Sequence, residues 1–201
     1  MTTTGPHAAP SAPGRGRPRH PDTDRAILSA TIRLLIEGGY GNLTIEAVAS
    51  AAGVAKTTIY RRYPTKRELA IAALQVELPF PNPPMDLDAR SALRLVVEAV
   101  LRGMVETGAI RILGSLLVED VREPDLLATF RRRLLEPRRA LVMELLRRGV
   151  ERGELRPDVD PLIVTEMMAG AIFGHHAILG EKTTDAWVDG LVDHIWAAIR
   201  A

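Results

Sequence analysis

The chain has 201 residues, of which 46% are hydrophobic and 25% are charged. This composition supports one or two folded cores and excludes a wholly disordered protein. There is no cysteine, which excludes disulfides and thiolate metal sites. No apolar run approaches the ~20 residues that cross a bilayer, so we expect a soluble, cytoplasmic protein.

The formal net charge is only +1, and it is unevenly distributed. Residues 1–78 carry ten Lys and Arg against six Asp and Glu, whereas the remainder carries sixteen against nineteen. A basic first third on a slightly acidic remainder suits a nucleic-acid-binding head attached to a different kind of body.

Residues 1–21, MTTTGPHAAPSAPGRGRPRHP, are predicted to form a disordered arm because they are rich in Pro, Gly, Ala and Thr. Arg15, Arg17 and Arg19 stand there without an acidic neighbour. The run resembles the core of an AT-hook, whose arginines enter the narrow minor groove of A·T-rich DNA. The alternative, a passive flexible tail, stays open at this point.

The first helix is predicted over about residues 24–37, and the glycines at 38 and 39 should end it. It should pack across the next two helices and complete a three-helix head. Its buried stripe consists of apolar residues at helical spacing, namely Ile27, Ala30, Leu34 and Leu35.

Residues 43–70, LTIEAVASAAGVAKTTIYRRYPTKRELA, begin with two short predicted helices joined by a glycine turn. Thr44 is a good N-cap, and Glu46 follows in the first turn, where the helix dipole favours a negative charge. Gly53 can adopt the left-handed conformation of a helix end without steric cost. The first of the two helices buries Ile45, Val48, Ala49 and Ala52, which follow the i, i+3, i+4, i+7 rule.

The second of these helices has an apolar side, supplied by Val54 and Ile59, and a set of basic and hydroxyl side chains elsewhere. Lys and Arg neutralise phosphates, hydroxyls hydrogen-bond them, and Thr methyl groups can contact thymine. The layout is typical of a helix-turn-helix whose second helix enters a major groove. Purely structural helix pairs are also common, but they would not need this density of cations beside one acid, Glu68.

The run AGVAKTTIYRRYPTKRELA resembles the N-terminal domain of TetR-family transcriptional regulators. The shared pattern is apolar–Ala–x–x–Ala–Gly–Val, a variable pair, apolar–Tyr, and an aromatic–Pro–x–Lys close, within residues 22–78. One departure is Ala55, where the family usually has a Ser or Thr N-cap, so the second helix should fray more easily. The resemblance implies base contacts from Lys56, Thr57 and Thr58, and phosphate contacts from Thr44, Tyr60, Arg61 and Lys66.

A fourth helix is predicted to begin near Thr65, and a proline-rich linker over residues 79–87 then separates the head, residues 22–78, from the body, residues 88–201. The fourth helix carries Leu69, Ala72, Ala73 and Val76 and should connect the head to the body.

The body is predicted to be helical throughout, because neither β alternation nor hairpin turns occur. Pro137 should kink or split the longest helix, while Asp160 and Pro161 supply an N-cap and a first-turn proline. The prediction is an all-α fold of about nine helices, and the body resembles, more weakly, the TetR-family regulatory domain. The body helices are expected near residues 88–106, 109–121, 124–152, 161–179 and 185–200.

The last two helices are predicted to form a homodimer surface, as a four-helix interface between two copies. Small residues permit close helix approach, an apolar stripe runs along the last helix, and two tryptophans add buried area if they point inward. The residues concerned are Ala169, Gly170, Ala171, Gly174, Trp187, Leu191, Ile195, Trp196 and Ile199.

No catalytic residue, metal site or cofactor is predicted. His175 and His176 are adjacent, so their side chains point about 100° apart and cannot chelate one ion, and Glu166 is not at the spacing of a helical metal site. A structural role at the dimer face or lining a pore is favoured over contact with a ligand. The run GEKT at 180–183 lacks the glycine spacing of a phosphate loop.

A cavity between the body helices is expected to bind an effector, with aliphatic and thioether side chains as its lining. The effector should be a mostly apolar organic molecule, neutral or cationic. Glu98, Glu166 and one of the two adjacent histidines are the polar candidates to orient it.

The resemblance implies a DNA-binding transcriptional regulator, usually a repressor, that binds a near-palindromic operator as a homodimer and releases it when the effector binds. Two alternatives stay open. One is an effector-independent architectural DNA-binding protein, which only the arginine arm supports. The other is a small-molecule-modifying enzyme, for which the sequence offers no nucleophile, base or metal.

Overall fold

The computed structural model describes residues 21–78, 80–84 and 86–201. These residues form nine continuous helices and no strand, which confirms the predicted all-α class. The predicted arm with Arg15, Arg17 and Arg19 lies outside the described residues. The helices are α1 (Pro21–Asn42), α2 (Ile45–Ala52), α3 (Lys56–Tyr60), α4 (Lys66–Glu77), α5 (89–106), α6 (Ile110–Glu119), α7 (126–151), α8 (161–178) and α9 (Asp185–Ile199).

Three of the body helices change to π-helical geometry for one turn. These turns are Arg102–Glu106 in α5, Arg131–Leu135 in α7 and Gly174–Ile178 in α8. In α7 the π-helical turn comes directly before Pro137, which lies in the first turn of the α-helical remainder. The irregularity therefore falls where the proline interrupts the backbone ladder.

The first helix begins at Pro21, three residues before the predicted start. Gly39, with φ 72 and ψ 175, breaks its helical path at the predicted stop, and one short turn to Asn42 follows the break. Glycine adopts this conformation without a steric penalty. The Asn42 side-chain amide donates to the Gly38 carbonyl at 2.9 Å and stabilises the turn that follows the break.

The first hydrophobic core joins the head to part of the body. Buried residues of α1, α2, α3 and α4 pack there with Ile112 and Leu116 of α6 and with Leu126 and Phe130 of α7. Residues before and after the predicted linker at 79–87 therefore pack into one hydrophobic core. On α4 the buried positions are Leu69, Ala70, Ile71, Ala73 and Leu74, whereas Val76 is 58% exposed.

The second core lies between α5, the later part of α7, α8 and α9. Phe80 of the linker packs against it. The chain ends beside the α7–α8 loop, where Leu155 and Arg200 form an isolated antiparallel bridge. Among the residues that the structure describes, no helix is long and apolar enough to cross a membrane.

Candidate nucleic-acid interface

The helix-turn-helix forms around two local signals that were read from the sequence. Thr44 caps α2, its side-chain oxygen accepting a hydrogen bond from the Ala47 N–H at 3.1 Å. Gly53 ends α2 in the left-handed conformation, with φ 65 and ψ 35. The N–H of Val54 then donates to the Ala49 carbonyl at 3.0 Å, which closes the turn and directs the chain into α3.

The five-residue helix α3 is anchored by one side chain and exposes most of the others. Ile59 is completely buried in the first core. Ala55 precedes the helix in an extended conformation and makes no side-chain cap, as its identity predicts. The outward positions are Lys56, Thr57, Tyr60 and Arg61, with Thr58 half-buried. Most of the hydroxyl and basic side chains named for base and phosphate contacts on and directly after α3 are thus accessible.

Lys56 is paired with an acid on the preceding helix. Its ammonium lies 2.9 Å from Glu46 Oε1, and both side chains are more than half exposed. The hydrogen bond to Glu46 raises the pKa of Lys56, and the same bond lowers the pKa of Glu46. Lys56 is therefore a charged donor. To contact a base, its ammonium must either use a second N–H while it stays bonded to Glu46 or break that bond.

Arg62 has a structural role and does not belong to the DNA-facing set. Its Nε lies 2.5 Å from Asp24 Oδ1, and its side chain is only 11% exposed. Its Nη1 donates to the Thr58 carbonyl at 3.2 Å. The guanidinium therefore joins the end of α3 to the start of α1.

Lys66 lies at the first residue of α4 and is half-buried against α1. Its ammonium donates to the Tyr40 carbonyl at 3.1 Å and lies 4.3 Å from the centre of the Tyr40 ring. An ammonium has three donors, so donors remain for a phosphate. Thr44 is in a similar position, since its oxygen caps α2 while its O–H proton is free to be donated.

One group of polar contacts near this surface could not be predicted from the sequence. The Tyr40 hydroxyl donates to Glu123 Oε2 at 2.9 Å, and Arg67 Nε lies 2.8 Å from Glu123 Oε1. Arg67, which stands in the basic run, therefore points to the α6–α7 connection. These residues are 56 and 83 positions apart in sequence, so no local pattern could have linked them.

The predicted dimer surface needs a correction. Ile195 and Ile199 are buried in the body's own second core and cannot reach a partner, while Leu191 is half-buried against the same core. Gly170 and Gly174 lie on α8, where an added Cβ would meet nothing within 4 Å. The outward side of α9 is instead a stripe of small and polar residues, Ala186, Gly190, His194 and Ala197.

The histidines and acids proposed for effector contact separate into different environments. His175 stacks on Trp187 with ring centres 4.1 Å apart, which joins the end of α8 to the start of α9. Glu98 and His176 line one hollow of about 470 Å³ beside residues 180–185. Glu166 is exposed and is not part of that lining. No group of three potential metal ligands occurs among the described residues.

A helix-turn-helix head with an exposed basic and hydroxyl face, attached to an all-α body, defines a DNA-binding regulator. Residues 27–73 match the family model of bacterial regulatory proteins of the tetR family, and residues 83–195 match the tetracyclin repressor-like C-terminal domain. The chain therefore belongs to the TetR family of transcriptional regulators and is not an enzyme.

Curated relatives match over almost the whole chain. An uncharacterised regulator of Mycobacterium tuberculosis, Rv1556, is 30% identical over 92% of this chain and 90% of its own length. A DNA-binding transcriptional repressor TetR of Mycobacteroides abscessus is 30% identical over 85% of this chain and 90% of its own. Among solved structures, the TetR-family regulator SCO0332 is 33% identical, covers 90% of this chain and 100% of its own, and has a TM-score of 0.65.

Proposed function

We propose that this regulator is a ligand-responsive repressor that binds a near-palindromic operator as a homodimer. The observation that carries the proposal is the exposed face of α3, which presents Lys56 and Thr57 while Ile59 fixes the helix to the head. A helix held in this way can enter a major groove with its first residues toward the bases. The related M. abscessus protein is named a repressor, which favours repression over activation.

The homodimer follows from the small size of one head. A five-residue recognition helix makes few base contacts, so specificity requires two heads spaced by about one helical turn, ~34–36 Å. The outward face of α8 suits the required contact, because Ile163 and Met167 are about half exposed there beside the open position of Gly170. Small residues on the facing side of α9 would allow close approach of a second copy.

The effector is proposed to bind in a hollow of about 450 Å³ between the end of α4, the linker and α5. Its walls include Leu78, Phe80 and Leu95, and one acid and one base, Glu77 and Arg102, also line it. This largely apolar lining fits a mostly apolar molecule, and Glu77 is the acid available to a cationic group. A ligand there would contact the last helix of the head and the first helix of the body, so it could favour one head orientation over another.

Solved neighbours with the same fold illustrate the range of such ligands. One is a regulator from Saccharomonospora viridis whose structure contains choline. It is 21% identical in sequence to this chain, covers 90% of this chain and 100% of its own, and has a TM-score of 0.63. Another is FadR of Bacillus subtilis, whose structure contains stearoyl-CoA. It is 16% identical in sequence to this chain, covers 88% of this chain and 99% of its own, and has a TM-score of 0.67. These ligands are the basis for including quaternary ammonium and long-chain compounds in a screen.

Operator binding is tested by using the full chain to enrich duplexes from a random-sequence library. The enriched duplexes are then footprinted with the protein bound. We expect one near-palindromic sequence whose half-sites are protected on one side of the duplex. Enrichment of A·T-rich DNA without a common sequence would contradict the operator and support an architectural protein.

Effector binding is tested by a thermal-shift screen followed by operator binding in the presence of each hit. We expect apolar compounds that raise the melting temperature and weaken operator affinity together, because both effects arise from one conformational equilibrium. Hits that stabilise the protein and leave operator affinity unchanged would contradict ligand-responsive repression.

A further inference from the structure

Tyr40 lies near the end of α1, only 1% exposed, and makes polar contacts in three directions. Its N–H donates to Ser115 Oγ on α6 at 3.0 Å, and its hydroxyl donates to Glu123 at 2.9 Å. Its carbonyl accepts from the Lys66 ammonium at 3.1 Å, and its ring faces the same ammonium. One residue thus connects the body to a side chain that is expected to hold a DNA phosphate.

Arg67 makes the arrangement more rigid. It follows Lys66 in α4 and binds the second oxygen of Glu123 at 2.8 Å. Adjacent helical residues point about 100° apart, so Lys66 and Arg67 hold the first turn of α4 from two sides. Glu123 accepts from both Tyr40 and Arg67 and is therefore the acid on which the whole group depends.

The chain on either side of Tyr40 is fitted closely against α6. A Cβ on Gly39 would lie 2.9 Å from Ser115 Cβ, and a Cβ on Gly41 would lie 2.7 Å from Glu119 Oε1. Gly39 also has a positive φ. Such close approach means that Tyr40 cannot shift without a displacement of α6.

The charge states are suited to this role. Burial and the neighbouring Glu123 carboxylate raise the pKa of Tyr40 well above its usual value, so the phenol stays protonated and remains a donor. The face of an aromatic ring attracts an ammonium, and the carbonyl adds a directed acceptor. Lys66 therefore has a fixed direction before it meets DNA.

We propose that Tyr40, held by Glu123 and Ser115 of the body, is the positioning residue that directs the Lys66 ammonium toward its DNA phosphate. The inference rests on the proposed phosphate contact of Lys66 and adds what holds that contact in place. It assigns to the body, through Glu123, a direct effect on the strength of DNA binding.

The test is a double-mutant cycle with Lys66→Ala and Glu123→Gln in the full chain, using the duplex that the wild-type protein enriches from a random library. Glu123→Gln removes a negative charge, which by itself should favour binding to DNA. We expect the opposite, a loss of affinity on the order of fivefold. We also expect the slope of log affinity against log salt to flatten by a part of the ~0.9 that one phosphate contact contributes.

The two substitutions together should weaken binding no more than Lys66→Ala alone, because the Glu123 effect passes through Lys66. Tyr40→Phe should reproduce the Glu123→Gln loss and keep the ring, and melting curves will identify variants that fail to fold. Glu151→Gln, which removes an ion-paired carboxylate from the far end of α7, is the charge-matched control and should not lose affinity.

The results distinguish a wrong phosphate contact of Lys66 from a wrong positioning role of Tyr40. If Lys66→Ala has no effect, the proposed phosphate contact is wrong. If Lys66→Ala weakens binding but the losses from the two substitutions multiply, or Glu123→Gln behaves like Glu151→Gln, the positioning role of Tyr40 is overturned.

Discussion

Individual side chains of the proposed DNA-facing surface differ in the protein groups that they already contact. Lys56 is paired with Glu46 across the helix-turn-helix, and Lys66 donates to the Tyr40 carbonyl. Thr57 on α3 and Arg61 directly after it are exposed. Phosphate contacts add affinity for every sequence, whereas contacts to base edges discriminate between sequences. The positions of these side chains therefore predict different binding phenotypes.

Arg61→Ala and Thr57→Val should separate these two phenotypes. Loss of Arg61 should remove the proposed phosphate contact, so affinity should fall about equally for operator and random DNA, and the salt slope should decrease by about one charge. Thr57→Val keeps the shape of the side chain and loses the hydroxyl, so the preferred base at one operator position should change. Both are measured by fluorescence anisotropy on a panel of single-base operator variants. A uniform loss with Thr57→Val would contradict base readout by that residue.

Ala55 is the residue at which the head departs from its family pattern, and the structure shows the consequence. Its backbone has φ −73 and ψ 145, which suits an N-cap, but no side chain caps α3. Ala55→Ser should supply the missing acceptor to the first N–H groups of the helix and stabilise the protein by about 0.5–2 kcal/mol. Denaturant unfolding measures this gain, and Ala55→Val, which like alanine has no capping oxygen, is the comparison that should give none. A loss of stability with serine would show that the position cannot accept a cap.

At the scale of helices, bounds set by local signals could be predicted from the sequence. Thr44 and Gly53 define α2 because a cap and a left-handed glycine act within one turn of the chain. The break of α1 at Gly39 was also predictable from its two glycines, but the short turn that follows it, whose Tyr40 N–H donates to Ser115 Oγ on α6, was not. The orientation of α9 was also missed, because the apolar stripe with Ile195 and Ile199 fits a protomer core as well as a dimer face.

Two helical glycines illustrate how packing changes the effect of the same substitution. An added Cβ on Gly149 of α7 would lie 2.7 Å from Leu155 Cδ1 and 2.9 Å from Ala89 Cβ. On Gly114 of α6 it would meet nothing within 4 Å. Gly149 is thus the close contact point between α7, α5 and the loop that follows α7.

Gly149→Ala should therefore destabilise the protein by about 1–3 kcal/mol through overpacking, although alanine is the better helix former. Gly114→Ala should stabilise by roughly 0.5–1 kcal/mol, because only the helix propensity changes. Chemical denaturation of both variants gives the comparison. Equal and positive effects at the two sites would contradict the close packing of α7 on α5.

At the scale of the whole molecule, the helix-turn-helix head and the acidic body share a core through α6 and the first part of α7. This shared core could not be predicted from the sequence. Helix α6 lies after the linker, and its apolar pattern shows which residues are buried but not which core they enter. The shared core has a functional consequence, because Ser115 and Glu123 reach the back of the DNA-binding surface only through this packing. The separation of charge along the chain is thus combined with a continuous structural connection.

The outward face of α8 is the proposed contact between two copies of the chain. Gly170 is exposed with open space around it, so Gly170→Asp should leave the protomer folded. Across a two-fold interface each copy would bring the same new carboxylate to the same surface, and the like charges should prevent association. We expect monomers by sedimentation velocity, a melting temperature close to that of an Ala140→Asp control on exposed α7, and a loss of operator affinity.

Ile195→Asp should behave differently from Gly170→Asp, since Ile195 is 3% exposed in the second core and an unpaired buried charge destabilises the fold itself. Its loss of DNA binding should come with a low melting temperature, and the sequence alone would have attributed it to the dimer. A folded Gly170→Asp variant that remains dimeric would place the interface elsewhere on the body. A folded monomer that still binds the operator tightly would show that one head is sufficient.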